Sequence, residues 1–252
     1  YEVNADDGVD ISIPVEFNED KNPKFYDTSN PKNKYYSNNK IEYNIKKTAS
    51  CSVPIVEMNI HCMGTHTETA NHIINDAPNI STIKSLNFVP SQLITVIPVT
   101  ETDESYHHDI EQGDKVITKQ ILKNHNIDEN FSKALIIRTS PNEGSKKHRN
   151  YNENHHPYLS NDAISYIKDL GVKHLLIDTP SVDRYNDNGK LGNHHIFFKN
   201  KNGECNSHTM TELIFVPDEC KDGKYFLCIG FPNFKLDAAP SRPIIYKINK
   251  LP

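Results

Sequence analysis

Long apolar runs are absent from this sequence of 252 residues. No stretch approaches the roughly 20 apolar residues that a membrane-spanning helix needs, so a protein anchored by such a helix is not expected. The first residues, YEVNADDGVD, are acidic instead of basic and then apolar, and do not resemble a secretory signal peptide. The sequence begins at Tyr1 instead of methionine, so a leader removed before that residue stays compatible with it.

Cysteine pairs and an excess of basic residues are also lacking. The five cysteines make an odd number and contain no CxxC pair, which argues against a disulfide framework and predicts a reducing compartment, the cytoplasm. A formal net charge of −5 offers no basic surface for phosphates. We therefore expect a small molecule as the partner, and neither nucleic acid nor a membrane.

The sequence nevertheless contains enough apolar residues to build a core. Hydrophobic residues make up 36% of the chain and include 12 tyrosines and 10 phenylalanines. The length lies near the upper end of what one hydrophobic core can organise. A single domain over residues 1–252 is therefore expected.

Short apolar runs rich in β-branched residues predict buried strands. The strand candidates are DISIPVEF at 10–17, a region within 50–68, QLITVIPV at 92–99, KALIIRTS at 133–140, HLLID at 174–178, TELIFVP at 211–217, KYFLCIGF at 224–231 and RPIIYKI at 242–248. Helical spacing predicts one helix that Ser160 caps and Gly171 ends, and a shorter one over 118–127. Such a set of strands with two or three helices indicates an α/β or α+β fold.

The segment HCMGTHTETANH at 61–72 concentrates groups that bind metals. Four of them occupy even positions, namely Cys62, His66, Glu68 and His72. Because an extended backbone sends alternate side chains to one face, these groups would converge and His61 would point away. Thiolate, imidazole and carboxylate together suit Zn²⁺ or another transition metal. Spacing alone leaves open a polar edge strand with coincidental histidines.

The other histidines show no comparable pattern. Those in polar surroundings, which we expect to be solvated, are His107, His108, His155, His156, His174 and His208. None of them has a carboxylate at strand or helix spacing that would predict a second site.

The motif GTHTETANH resembles the signature H-x-G-T-H-x-D-x-P-x-H of the cyclase family of metal-dependent hydrolases, which includes bacterial kynurenine formamidase and isatin hydrolase. Further blocks resemble the family in the same order, namely DISIP, ALIIRTS, GVKHLLIDTPSVD at 171–183, NHHIFF at 193–198 and TELIFVP. The resemblance covers nearly the whole chain. It implies a swivelling β/β/α domain with a mixed central sheet and a few helices, assembled as a homodimer or homotetramer.

The resemblance also implies roles for five residues. His66 matches the second histidine of the signature, a metal ligand, and Glu68 matches the aspartate that bridges two ions. His194, with His195 as the adjacent alternative, matches the later metal-binding histidine, and Glu212 matches the later glutamate. His72 matches the histidine that acts as acid and base.

Three positions depart from the signature. Cys62 occupies the place of the first histidine, Glu68 is one methylene longer than aspartate, and Ala70 replaces the proline. A thiolate at Cys62 would bind metal and favour Zn²⁺ over Mn²⁺. If Cys62 does not bind, only one ion is held firmly, unless an irregular backbone allows His61 to substitute.

The reaction that these features predict is hydrolysis of an amide, formamide or cyclic amide bond by water that a metal ion activates, with His72 as acid and base. Two alternatives stay open. One is a cysteine hydrolase with Cys62 as nucleophile and His66 or His72 as base. The other is a metal-binding protein without catalytic activity. Residues that select the substrate are expected in the polar loops at 18–47 and 141–159.

Overall fold

The computed structural model describes residues 2–47, 49–84 and 86–248, which form strands and a few short helices. In chain order the strands are β1 Val9–Asp10, β2 Lys32–Tyr35, β3 Pro54–Glu57, β4 His66–Glu68, β5 Leu86–Val96, β6 Val116–Ile117, β7 Ala134–Thr139, β8 Tyr158–Leu159, β9 His174–Ile177, β10 Thr209–Glu212, β11 Gly223–Gly230, β12 Ala238–Pro240 and β13 Arg242–Lys247. The α-helices are α1 Lys119–Lys123, α2 Asn161–Asp169 and α3 Gly192–Phe198. Short 3₁₀ helices lie at Ala5–Asp7, Ala70–His72, Ile80–Thr82 and Gly144–His148. Of the expected domain of residues 1–252, Tyr1, Thr48, Ser85 and residues 249–252 lie outside the described residues.

Nine strands form one mixed sheet in the order β1-β13-β11-β5-β7-β9-β10-β4-β12. The neighbours β5, β7, β9 and β10 run parallel, and the strands on both sides of them pair antiparallel. β2 pairs with β3, and β6 with β8, in two small sheets. The fold is therefore the mixed α/β type that the sequence predicts.

The central strands read as continuous apolar runs because both of their faces are covered. Every residue of β7 is buried, which confirms the strand predicted over 133–140. β5 starts at Leu86, well before the predicted 92–99, because its first half pairs with β11 and its second half with β7. An apolar run alone does not reveal such a shared strand.

The helix predicted after Ser160 is confirmed as α2. The Ser160 side chain accepts a hydrogen bond from Ala163 N at 2.9 Å, and Gly171 follows the helix with a left-handed φ of 78°. The buried residues of α2 and of α3 pack together against one face of the parallel strands. Each helix in the described ranges is too short or too polar to cross a membrane.

The strand predicted over residues 10–17 is wrong for most of its length. Only Val9–Asp10 pair with β13, and Ser12 forms a single bridge to Ile214. The alternation that suggested a strand arises because Ile11 and Ile13 are buried in two apolar clusters, 0% and 5% exposed. Burial on alternate residues therefore does not require a continuous ladder.

The fold brings the end of β10 next to the start of β4. The two strands are antiparallel, with Glu212 opposite His66 and Met210 opposite Glu68. Because Met210 belongs to the core beneath the helices, the residue two positions on, Glu212, faces the same side. The carboxyl ends of parallel strands are where open α/β sheets usually bind ligands.

Candidate active site

Two small residues fix the start of β4. A Cβ at Gly64 would come within 2.7 Å of Val15 Cγ2, so only glycine allows this close approach. The Thr65 hydroxyl accepts the Ile13 N–H at 2.8 Å and donates to the Leu213 carbonyl. The position of the following histidine is thereby set by the packing of the segment in front of it.

The short strand β4 separates its side chains as the sequence predicts. The Thr67 hydroxyl shares a 2.8 Å hydrogen bond with Thr211 on one face. His66 and Glu68 lie on the other, each 0% exposed. His66 Nδ1 donates to the Gly64 carbonyl at 3.0 Å, which leaves Nε2 turned toward Glu212 Oε2 at 3.5 Å.

The helix α3 supplies His194 from the opposite side. Asp183 Oδ2 accepts a hydrogen bond from His194 Nδ1 at 2.6 Å and another from the His194 backbone N–H at 3.2 Å. The other ring nitrogen, Nε2, lies 3.0 Å from Glu68 Oε1 and 3.8 Å from Glu212 Oε1. The structure thus brings His66, Glu68, His194 and Glu212 together, whereas His195 on the same helix joins none of these contacts.

His72 lies at the edge of this cluster, one turn beyond β4. Its Nδ1 is 3.0 Å from Asp237 Oδ2, and its Nε2 is 3.9 Å from Glu68 Oε2. Asp237 comes from the segment before β12, and its backbone carbonyl accepts the Thr69 N–H at 3.0 Å. The side chain of His72 is 25% exposed, so this imidazole faces both the buried carboxylate and the solvent-accessible side.

His61 lies inside the site, although the alternation of the sequence predicts that it points away. Residues 60–64 form a turn, so the two-residue period of a strand begins only at His66. His61 Nδ1 lies 3.2 Å from Glu68 Oε2, and Nε2 lies 2.8 Å from Asp237 Oδ2. The ring stacks on His72 with centroids 4.2 Å apart.

Cys62 is placed differently from the other four predicted ligands. It is 6% exposed and belongs to an apolar cluster whose other members are Ile13, Phe25, Met63, Tyr151 and Leu213. Burial, with a contribution from the charge of Glu212, raises the pKa of the thiol to about 11. A thiol that stays protonated is a poor nucleophile.

The donor atoms at the centre fit a metal ion. His66 Nε2 and both carboxylate oxygens of Glu68 are buried and have no hydrogen-bond partner among the described residues. Buried polar atoms are rarely left unpaired, and a cation would satisfy all three. Groups of three potential ligand atoms within 4.8 Å of one another are His61-His66-Glu68, Glu68-His72-His194, His61-His72-Asp237 and His107-Asp183-Asp187.

Carboxylates surround the histidines and favour positive charge. Burial lowers the pKa of His61, but Asp237 and Glu68 outweigh it and raise this pKa to about 10. Burial also lowers the pKa of His194, but Glu68 and Asp183 outweigh burial and hold this pKa well above the ordinary value. The site therefore has the electrostatic potential of a cation-binding site.

A cavity of about 230 Å³ opens onto the cluster. Its lining residues are Phe25, Tyr26, His61, Cys62, His72, Pro180, Ser181, Asp187, Gly189, Leu191, His194 and Glu212. The loop at 18–47 contributes two of them, Phe25 and Tyr26. The loop at 141–159 contributes none and lines a separate cleft.

Two residues of the site are missed by the sequence analysis, namely Asp183 and Asp237, and His61 is expected there only as a substitute that needs an irregular backbone. Asp183 ends the block TPSVD, and Asp237 lies in a late loop without any motif. Only the fold brings these carboxylates next to histidines, so their spacing in the sequence carries no signal. His61 could be found only from the turn in front of β4.

The mixed sheet and the buried histidine-carboxylate cluster define a class of protein, the α/β proteins with a candidate metal centre at a sheet edge. Residues 9–184 match the family described as Putative cyclase. The match covers well over half of the chain, and the chain belongs to the cyclase family. The family resemblance drawn from the sequence is confirmed.

Curated relatives in sequence are kynurenine formamidases. The protein of that name from Bacillus mycoides is 26% identical over 213 residues, which cover 82% of this chain and 86% of the relative. The one from Bacillus cereus is 24% identical over 215 residues, with the same two coverages of 82% and 86%. These relatives support a hydrolase at the level of the family.

Solved structures share the fold across nearly the whole chain. A potential metal-dependent hydrolase with cyclase activity has a TM-score of 0.66 and 17% identity, covering 96% of this chain and 98% of the other. Isatin hydrolase A from Labrenzia aggregata, bound to benzyl benzoate, has a TM-score of 0.64 and 14% identity, covering 95% and 93%. At such low identity these structures establish the architecture alone.

Proposed function

We propose that this protein is a metal-dependent hydrolase that cleaves an amide, formamide or cyclic amide bond. The observation that carries the proposal is the buried cluster of donor atoms from His66, Glu68, His194 and Glu212 beside a small cavity, in which His66 Nε2 has no hydrogen-bond partner among the described residues. The names of the curated relatives, kynurenine formamidases, support an arylformamidase-like reaction and a role in tryptophan catabolism.

The residues that would hold the metal are His66, Glu68, His194 and Glu212, with one further ligand from the turn at 61–62. Imidazole and carboxylate donors suit Zn²⁺ first and Mn²⁺ second, with one or two ions per chain. A bound ion supplies Lewis acidity, which lowers the pKa of water and polarises a carbonyl group.

His72 is the proposed general base and acid. Asp237 holds its Nδ1 at 3.0 Å, so Nε2 is free to take a proton from the attacking water and return it to the leaving nitrogen. Its partial exposure, at the wall of the cavity, gives it access to substrate. The buried ring nitrogens of His66 and His194 face carboxylates instead and cannot exchange protons with substrate as easily.

The cavity favours a small substrate. Its volume of about 230 Å³ lies below the range of roughly 300–1,000 Å³ that is usual for drug-sized ligands. Phe25 and Tyr26 form an apolar wall with ring centroids 4.2 Å apart. A planar N-formyl aryl amine or a small cyclic amide matches this combination of size and polarity.

Two variants test the roles of the histidines. His72→Ala should retain the metal and lose turnover by about 10²–10⁴-fold, the usual contribution of a general acid-base group. His66→Ala should lose the metal as well. His148→Ala, which removes an exposed histidine, is the control and should behave like the wild type. Unchanged turnover in His72→Ala would refute the role of His72.

Substrate assays separate the alternatives. N-formyl anilines, isatin and cyclic imides would be assayed with added Zn²⁺ and Mn²⁺, with EDTA and with iodoacetamide. The proposal expects turnover that EDTA abolishes and metal restores. A metal-loaded protein that hydrolyses none of these compounds would favour a non-catalytic metal-binding protein. Activity that survives EDTA but not iodoacetamide would favour a cysteine nucleophile.

Composition and the family resemblance also support proposals for assembly and location. We propose a cytoplasmic homodimer or homotetramer that acts on a small molecule and binds neither nucleic acid nor membranes. The odd cysteine count and the net charge of −5 support the location and the choice of partner, and the family resemblance supports the assembly. Light scattering of the purified protein would measure the oligomeric state.

A further inference from the structure

The turn that precedes β4 presents two candidate ligands in consecutive positions, His61 and Cys62. The signature of the family has a histidine four residues before His66, and this chain has Cys62 there. The backbone at 60–64 is a turn, so which side chain faces the centre is decided by local conformation and not by strand alternation.

The imidazole of His61 has the arrangement of a metal ligand. His66 and His194 each direct Nδ1 to an oxygen acceptor, the Gly64 carbonyl at 3.0 Å and Asp183 Oδ2 at 2.6 Å, and turn Nε2 toward the central carboxylates. His61 shows the same arrangement, except that its Nε2 faces the oxygen acceptor and its Nδ1 faces the central carboxylates. Its Nε2 donates to Asp237 Oδ2 at 2.8 Å, and its Nδ1 lies 3.2 Å from Glu68 Oε2. An acceptor on one nitrogen fixes the tautomer and leaves the lone pair of the other for a metal.

The two oxygens of Glu68 point to different partners. Oε2 lies near His61, and Oε1 lies 3.0 Å from His194 Nε2. Both oxygens thus face ring nitrogens, and His66 Nε2 has no hydrogen-bond partner among the described residues. The ligand atoms of His61, His66 and Glu68 lie within 4.8 Å of one another. These three residues can therefore share one ion.

Cys62 lacks each of these features. Among the described residues it belongs to no group of three potential ligands within 4.8 Å. Its side chain belongs to the apolar cluster defined above and is 6% exposed. The cysteine therefore contributes to packing and to the cavity wall.

We propose that His61, and not Cys62, supplies the ligand at the place of the first histidine of the signature, so that His61, His66 and Glu68 hold one ion. The assignment rests on the proposed function, since it needs a bound metal. This chain would then have its histidine ligand one residue earlier than the family signature does. The turn at 60–64 would bring that imidazole to the metal centre.

Cobalt binding tests the assignment with a readout that is independent of turnover. Metal-free protein would be titrated with Co²⁺ while the absorption spectrum is recorded, for the wild type, Cys62→Ser and His61→Ala. We expect no near-ultraviolet charge-transfer band from thiolate to cobalt in the wild type. Cys62→Ser should bind Co²⁺ as the wild type does, and His61→Ala should lose one ion or bind it at least about tenfold more weakly.

The test has two controls, a variant of a second cysteine with equal exposure and the spectrum of the wild type. Cys220→Ser is the control, because Cys220 and Cys62 are both 6% exposed and Cys220 lies away from the cavity. A thiolate band that disappears in Cys62→Ser but not in Cys220→Ser would overturn the assignment, even if His61→Ala fails to fold. So would wild-type affinity for every ion in a folded His61→Ala. A wild type that binds neither Co²⁺ nor Zn²⁺ would refute metal use itself, and the assignment with it.

Discussion

At the residue scale, the Asp183 carboxylate fixes the orientation of the His194 ring through its Nδ1. Its Oδ2 accepts the Nδ1–H at 2.6 Å, and its Oδ1 accepts the Asn193 N–H at 2.9 Å. Carboxylates in this position orient a ligating histidine and increase its basicity, and their loss usually costs 10–100-fold in metal affinity. Asp183 is therefore expected to act on the metal through His194.

Asp183→Asn should accordingly weaken Zn²⁺ binding by about 10–100-fold. The amide preserves the size of the side chain but removes the charge that faces the imidazole. Competition with a chromogenic chelator would measure the affinity, and Asp169→Asn on the exposed side of α2 is the control. Wild-type affinity in Asp183→Asn would show that the contact is only structural.

Asp237→Asn should lower kcat with a smaller effect on KM. The Asp237 carboxylate receives hydrogen bonds from His61 and His72, and these lower its own pKa. Without that carboxylate the His72 ring loses the contact that orients it, so we expect a loss of about 10²-fold in kcat. Kinetics would be measured at saturating metal, with the metal content determined in the same samples. Equal kcat in the two proteins would contradict the role of Asp237.

His156 makes stability depend on pH. It is 4% exposed, its Nε2 donates to the Asp183 carbonyl at 2.9 Å, and its Nδ1 has no partner among the described residues. Burial lowers its pKa to about 4, whereas the ordinary value is about 6.5. The unfolded state therefore binds more protons between these values. The stabilising contribution is complete above pH about 6.5 and is lost as the pH falls toward about 4.

Urea unfolding of the metal-free protein would check this dependence. The free energy of unfolding should fall by about 2–3 kcal/mol from His156 alone between pH 7 and pH 4.5. His156→Gln keeps a donor for the Asp183 carbonyl but does not titrate, so it should show a smaller loss over the same interval. An identical pH dependence in both proteins would assign the effect to other groups.

At the scale of elements, the sequence predicts those whose signals are local. α2 has its cap at Ser160 and its stop at Gly171, and β7 is a continuous apolar run, so both lie where expected. The long strand β5 and the interrupted segment at 10–17 depend on which distant strands pair with them. Such pairing is a tertiary property, and patterns within one segment do not contain it.

The residues of the candidate site also divide into those with a local signal in the sequence and those without one. His66 and Glu68 follow from alternation, but a two-residue period does not reveal where the strand starts, and His61 was therefore placed on the wrong side. His156 and His107 were expected to be solvated. Instead, His156 is buried beneath an aromatic cluster with Phe25 and Tyr151, and His107 lies beside buried carboxylates.

The close packing at the start of α3 can be tested by substituting its first residue, Gly192. A Cβ at Gly192 would overlap the ring of His107, so Gly192→Ala should destabilise the protein by about 1–3 kcal/mol, the usual cost of overpacking. Gly144→Ala is a matched control, since Gly144 also begins a short helix and its Cβ would meet no atom within 4 Å among the described residues. Chemical denaturation would measure both, and equal stability would contradict the close contact.

At the scale of the whole molecule, the site joins parts of the chain that are far apart in sequence. The turn and strand at 61–68, the helix α3, the end of β10 and the segment before β12 meet only in the folded state. A metal ion that binds these segments together would bind the folded state alone and stabilise it by mass action. The proposed function therefore depends above all on whether this chain holds a metal.

Elemental analysis of the protein, reconstituted with Zn²⁺ or Mn²⁺ and then dialysed, tests that claim most directly. We expect one or two ions per wild-type chain and clearly less metal in His66→Ala. Retention of no metal by the folded wild type would contradict that claim.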